Sequence, residues 1–213
     1  MITLYDYLPS QNAWKVRQLL RHLAIPHRTE IVSIFEGQGH EAAFLEINPW
    51  GAVPAIRLED GRVLSESNAI LWFLSEGTAY RPADAFGGAK VMQWLSFEID
   101  YIQNSVGSLR YWALTGKLDG RPPSMVDGKR STAERALAIL DAELRVKPFI
   151  CGGGYTIADI ALFAYAHRAD EAGLDTTQLS AFTDWVARVR ARDGYLAETY
   201  PYSDDPYAMC ELP

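Results

Sequence analysis

Asn48-Pro49-Trp50-Gly51-Ala52-Val53-Pro54-Ala55-Ile56 is followed, twelve residues after Pro54, by Glu66-Ser67-Asn68-Ala69-Ile70. Pro54 opens the apolar run Ala55-Ile56-Arg57-Leu58. A proline lacks the N–H that a strand interior needs, so it belongs at a first residue, an edge or a bulge. Val53 therefore sits where main-chain groups stay unclaimed, and a cis Val53-Pro54 bond turns its N–H and C=O outward together. A peptide-like ligand can pair with them as an added strand. Asp60-Gly61 reads as a hairpin turn into a second strand, 61–64. Ser65-Glu66-Ser67 then starts an apolar-periodic helix carrying Ile70, Leu71, Phe73 and Leu74. Its free N–H groups suit a carboxylate, the Ser67 hydroxyl adds a further hydrogen bond, and Glu66 accepts from an ammonium group. The expected ligand has an α-amino-acid end beside a peptide bond. A hairpin followed by a capped helix also arises without any ligand.

The order Asn-Pro-x-Gly-x-Val-Pro, Asp-Gly, Glu-Ser-x-Ala-Ile-Leu closely resembles the glutathione-binding half of the glutathione S-transferase superfamily. Glutathione, through its γ-glutamyl end, has both features of the expected ligand. Ser10-Gln11-Asn12-Ala13-Trp14-Lys15-Val16 is similar to the motif of serine-type members, and bacterial relatives often carry a comparable Ser-x-Asn. The resemblance implies that Ser10, with Asn12 as its rival, donates a hydrogen bond to the glutathione thiolate. A free thiol with a pKa near 8.5 is only a few per cent ionised at neutral pH. Lowering it by about two units takes roughly 2.7 kcal/mol, within reach of a hydroxyl and a helix N-terminus together. Ser10 equally suits a plain N-cap. Tyr5 and Tyr7 are weaker candidates, and no cysteine lies in the N-terminal half. His40, after the loop Glu36-Gly37-Gln38-Gly39, stands about where relatives contact the glycyl carboxylate; it also suits an exposed surface position. Trp50 replaces the smaller residues usual there and suits a ligand-side or subunit contact.

The wider chain fits an α+β architecture. Ile2-Thr3-Leu4-Tyr5 suits a strand, Val16, Leu19, Leu20 and Leu23 a helix, 28–32 a second strand and 41–46 a short helix. With the hairpin and the helix after it, this gives βαβ then ββα, similar to a thioredoxin-like glutathione domain over 1–76. Residues 77–88 read as a linker and 89–213 as an all-α domain. Leu95, Ile99, Ile102, Val106 and Leu109 mark one side of a long helix, and Ala133, Ala136, Leu137, Leu140 and Leu144 mark the next. Further helices are expected at about 156–170 and 178–192, the latter carrying Leu179, Phe182, Val186 and Val189. Thr156-Ile157-Ala158-Asp159 resembles the family's capping box, and the glycines before it lack the Gly-Lys-Ser/Thr of a nucleotide loop. An electrophile pocket is expected from Leu8 with Tyr111 and Trp112, two residues that also suit a core.

Twenty Lys plus Arg against 27 Asp plus Glu give a formal charge of −7, which disfavours nucleic acid or an anionic membrane as partner. With no long apolar span and no leader pattern, the expectation is a soluble cytoplasmic protein. Cys151 and Cys210 read as ordinary thiols, and His22, His27, His40 and His167 are scattered, so no metal site is expected. The implied activity is that of a glutathione transferase acting on an apolar electrophile in detoxification, with glutathione as co-substrate, in a homodimer. The alternative is a non-enzymatic transferase-like module that binds a ligand or a protein.

Overall fold

The computed structural model describes residues 1–212. It falls into two compact units, one built from 1–76 together with the tail from Leu196 onward, the other from Gly77–Tyr195. The tail thus departs from the expected division at 89–213. The expected linker also ends early, because Asp84 caps a helix starting at Ala85, its carboxylate accepting from Gly87 N–H at 2.8 Å.

In the first unit, β1 (Ile2–Asp6), α1 (Gln11–His22), β2 (His27–Ile31), α2 (Ala42–Leu45), β3 (Ala55–Arg57), β4 (Val63–Ser65) and α3 (Ser67–Leu74) follow in order. The sheet order is β2-β1-β3-β4, with β1 parallel to β2 and antiparallel to β3, and β3 antiparallel to β4. Side-chain alternation in β1 sends Leu4 to one face, where it packs with Val16, Leu20, Ile56 and Ile70, and Tyr5 to the other, with Val32, Phe44 and Ala55. Each such aliphatic side chain contributes about 1.5–3 kcal/mol by leaving water. The second hairpin strand starts two residues later than expected, because Asp60-Gly61-Arg62 is spent on the turn. There Gly61 has φ 88° and Arg62 N–H donates to the Asp60 carboxylate at 3.1 Å.

The tail finds partners in this unit. The Trp14 indole N–H donates to Leu196 O at 3.2 Å, Leu196 N–H donates to Gln18 Oε1 at 2.8 Å, and Tyr202 packs between Tyr7 and Phe35.

The second unit contains α4 (Ala85–Phe97), α5 (Ser108–Leu114), α6 (Pro123–Leu144), α7 (Ile157–Ala166) and α8 (Ser180–Arg190). Between α4 and α5 the chain stays helical but widens to a π-helix over Glu98–Gly107. That extra winding breaks the expected four-and-three spacing: Leu95, Ile102, Val106 and Leu109 are buried, but Ile99 is 45% exposed and Glu98 takes the inside place. The α6 stripe is buried as expected. At α7 the Asp159 carboxylate, fully buried, accepts from Thr156 N–H and Ile150 N–H at 2.9 Å each and from the Trp185 indole at 3.0 Å. The capping box therefore also ties α8 to α7.

His167 stacks on Phe163, ring centroids 4.0 Å apart, with Nδ1 2.5 Å from the Phe163 carbonyl. Burial pushes its pKa down to about 3. An unfolded histidine titrates near 6.5, so the unfolded chain takes up this proton first and stability is lost as pH falls from about 6.5 toward 3. His167→Phe is expected to flatten the pH dependence of the urea midpoint between about pH 7 and pH 5; a slope equal to the parent's contradicts this.

Candidate functional site

The ladder register gathers three chain segments at one end of the sheet. Tyr5 pairs with Ala55, and Ala55 with Ser65. Continuing past those pairs, β1 runs on to Ser10, β3 is reached through Val53, and β4 leads into Ser67. The Val53-Pro54 bond is cis, and among the described residues the Val53 N–H and carbonyl have no hydrogen-bond partner. Glu66, just ahead of α3, is exposed and holds φ 69°, a left-handed conformation uncommon for a residue with a side chain. Ser67, buried, begins the helix. Its Oγ accepts from Lys15 Nζ at 3.3 Å, which leaves the hydroxyl proton to be donated elsewhere.

Ser10 N-caps α1: its Oγ accepts from Ala13 N–H at 3.3 Å. Capping uses an oxygen lone pair and spares the proton, so capping and donation are compatible in one side chain. Asn12, half-buried and the second residue of the helix, has an Oδ1 that is buried and, among the described residues, unpartnered. The two tyrosines take other work. Tyr5 is core, its ring edge-on to Phe44 at 5.8 Å, with its pKa raised by burial. The Tyr7 hydroxyl donates to Asp205 Oδ2 at 2.8 Å.

His40 is exposed and its ring lies against the Val53 loop: a Cβ built on Gly51 would come 3.0 Å from His40 Cε1. The approach is closer still at Gly39, where a Cβ would stand 2.2 Å from the Gly51 carbonyl oxygen, so only glycine allows the two loops to touch. Asn48 shapes the second loop from within; it is 1% exposed, donates to Ala52 O at 2.7 Å and accepts from Trp50 N–H at 3.2 Å. Trp50 itself projects outward, 71% exposed.

Leu8 lines a cavity of about 340 Å³ with Tyr7, Pro9, Ile31 and Tyr200. Tyr111 and Trp112 belong to the helical unit. There Trp112 is buried with the Arg121 guanidinium 5.2 Å from its ring centre, and the Lys117 ammonium lies 4.7 Å from that of Tyr111.

Three supporting residues had no role assigned from the sequence. Asp6 is fully buried and takes two hydrogen bonds from Arg17 Nη1, at 2.8 and 2.7 Å, while Arg17 Nη2 donates to Leu8 O at 2.9 Å. Burial raises the Asp6 carboxyl and the guanidinium opposes that rise. The pair fixes the Leu8 carbonyl two residues before Ser10. Lys15 is the third, fully buried beneath Ser67. The available signal was a charged residue four positions before Leu19 and four after Gln11, on a face otherwise destined for the interior. Cys151 is packed and its thiol pushed up to about 11 by burial, which leaves it no thiolate to offer. Among the described residues no group of three metal-ligating side chains occurs, and no helix is long and apolar enough to cross a membrane.

Residues 9–76 match the family model of the glutathione S-transferase N-terminal domain, and 113–192 that of the C-terminal domain. The chain is 26% identical over 199 residues to glutathione S-transferase GstB of Escherichia coli K12, covering 90% of this chain and 94% of that one. It is similar in structure to a glutathione S-transferase of Xanthobacter autotrophicus Py2, with a TM-score of 0.89 and 32% identity over 96% of this chain and 99% of the other. A glutathione transferase of Burkholderia graminis, solved with two glutathione molecules bound per subunit, superposes with a TM-score of 0.80 at 26% identity, covering 91% of this chain and 85% of that one.

Arg17→Met strands the Asp6 carboxylate in the interior. Removing one partner of a buried ion pair costs about 3–5 kcal/mol, and urea unfolding is expected to show a loss of that size. A loss below about 1 kcal/mol, the range of exposed pairs, contradicts the clamp.

Proposed function

Since the chain belongs to the glutathione S-transferase family, we propose that it is a glutathione transferase that holds reduced glutathione at the open end of the sheet and directs its thiolate at an apolar electrophile. The observation that carries this reading is the Tyr5–Ala55–Ser65 register, which sets unpaired Val53 main chain beside the α3 N-terminus and the Ser10 turn.

In this reading Val53 pairs with the cysteinyl backbone of the tripeptide, as an added strand does. The γ-glutamyl carboxylate meets Ser67 and the first turn of α3, with the Lys15 ammonium beneath as counter-charge. Exposed Glu66 accepts from the γ-glutamyl ammonium, and His40 faces the glycyl carboxylate. Ser10 donates its proton to the sulfur as a hydrogen bond without transferring it, so no general base is needed. Asn12 orients the same end of the ligand with its amide. A hydrogen bond to a charged group contributes about 1.5–3 kcal/mol, which brings the thiol pKa from about 8.5 to about 6.3–7.4, and the α1 N-terminus favours the lower end. The reading is completed by a cytoplasmic homodimer with a role in detoxification, in which exposed Trp50 offers an aromatic contact.

The thiolate absorbance of bound glutathione, followed against pH, tests the donor. Ser10→Ala is expected to raise the bound thiol's pKa by about one to two units, and Asn12→Ala by less. If neither change raises it, the assignment is wrong.

A further inference from the structure

The cavity beside the Ser10 turn is lined entirely by residues of the first unit. At about 340 Å³ it matches a small aromatic ligand. Tyr7, Leu8, Pro9, Tyr200 and Tyr207 supply apolar and aromatic walls. Its ionisable lining is Glu36, Asp204 and Asp205 besides the tyrosines; among the described residues no lysine, arginine or histidine lines it.

The tail wall is built rather than draped. Asp205 accepts from the Tyr7 hydroxyl at 2.8 Å and from Tyr207 N–H at 2.9 Å, while Tyr202 packs against both Tyr7 and Phe35 at 6.3 Å. Arg17, whose guanidinium lies 5.7 Å from the Tyr200 ring centre, is held by Asp6 at 2.7 Å and does not offset the acidic rim. Aromatic faces attract cations, and three carboxylates without a counter-cation reject anions.

We infer that this cavity takes the body of the electrophile and selects co-substrates bearing a cationic group on an aromatic frame over those bearing a carboxylate or sulfonate. The inference rests on the transferase reading for the role of its occupant. For a benzylic chloride the glutathione thiolate attacks the benzylic carbon. The C–S bond forms as the C–Cl bond breaks, and chloride leaves with the bonding pair. The thiol proton has already passed to solvent, and nothing is oxidised or reduced. Glu36 and Asp204 are exposed and screened over about 8 Å at physiological salt, so the discrimination is moderate, about tenfold, and shrinks as salt rises.

Two measurements on the full chain test this. Calorimetric binding compares para-methylbenzyl-trimethylammonium with para-toluate, and turnover with glutathione compares the corresponding cationic and carboxylate benzyl chlorides with unsubstituted benzyl chloride. The cation is expected to bind about tenfold tighter and to react with about tenfold higher kcat/KM, with both preferences falling toward unity in Glu36→Gln/Asp204→Asn. Equal binding of the two probes, or a preference that survives the double substitution, overturns the inference. Cation-selective binding with no turnover even of benzyl chloride supports the ligand class and contradicts the transferase reading instead.

Discussion

Pro54 has no N–H to give, and the sheet stops there. Because the β3 ladder cannot run on past Ala55 toward Val53, one end of a small four-stranded sheet is left with main-chain groups that no partner among the described residues satisfies. A buried unsatisfied peptide group is costly, so those groups face outward to water or to a ligand that can replace water. The same pairing that ends at Ala55 also delivers Ser10 and Ser67 to that end. Everything specific to the site is an addition to this edge.

The additions are charges placed where charge is expensive. Asp6 and Arg17 lie under the Leu8 carbonyl and fix the turn that presents Ser10. Lys15 lies under Ser67 and brings a positive charge to a helix start that already favours anions. Neither arrangement resembles an ordinary core solution: apolar replacements would often be as stable or more so. Their value lies in geometry. In the helical unit Asp159 plays the purely structural counterpart, one carboxylate closing the α7 cap and reaching the Trp185 indole.

Local chemistry was legible from the chain and tertiary chemistry was not. Asp60-Gly61, the Thr156 cap and the Leu20 and Leu140 stripes are written in residue types whose preference is set by their immediate neighbours, and they appear where expected. The Val53-Pro54-to-Ser67 segment could be read for the same reason. Ile99 was misplaced because a π-helical turn changes the spacing on which the reading depended. The tail was assigned to the wrong unit because its anchors, Leu196 to Gln18 and Asp205 to Tyr7, join residues 178 and 198 positions apart, with no local signal. Lys15 and Asp6 were given no role because their partners, Ser67 52 positions away and Arg17 11 positions away, leave no mark on the neighbouring sequence.

The central claim is that the open sheet end binds a cysteine-containing tripeptide and makes its sulfur more acidic. Titrating reduced glutathione calorimetrically near neutral pH, in two buffers of different ionisation enthalpy, counts the protons that leave on binding. A thiol whose pKa moves from about 8.5 to about 6.5 releases roughly 0.7 of a proton at pH 7. Saturable binding with that release is the predicted result; no binding, or binding that releases no proton, contradicts the account.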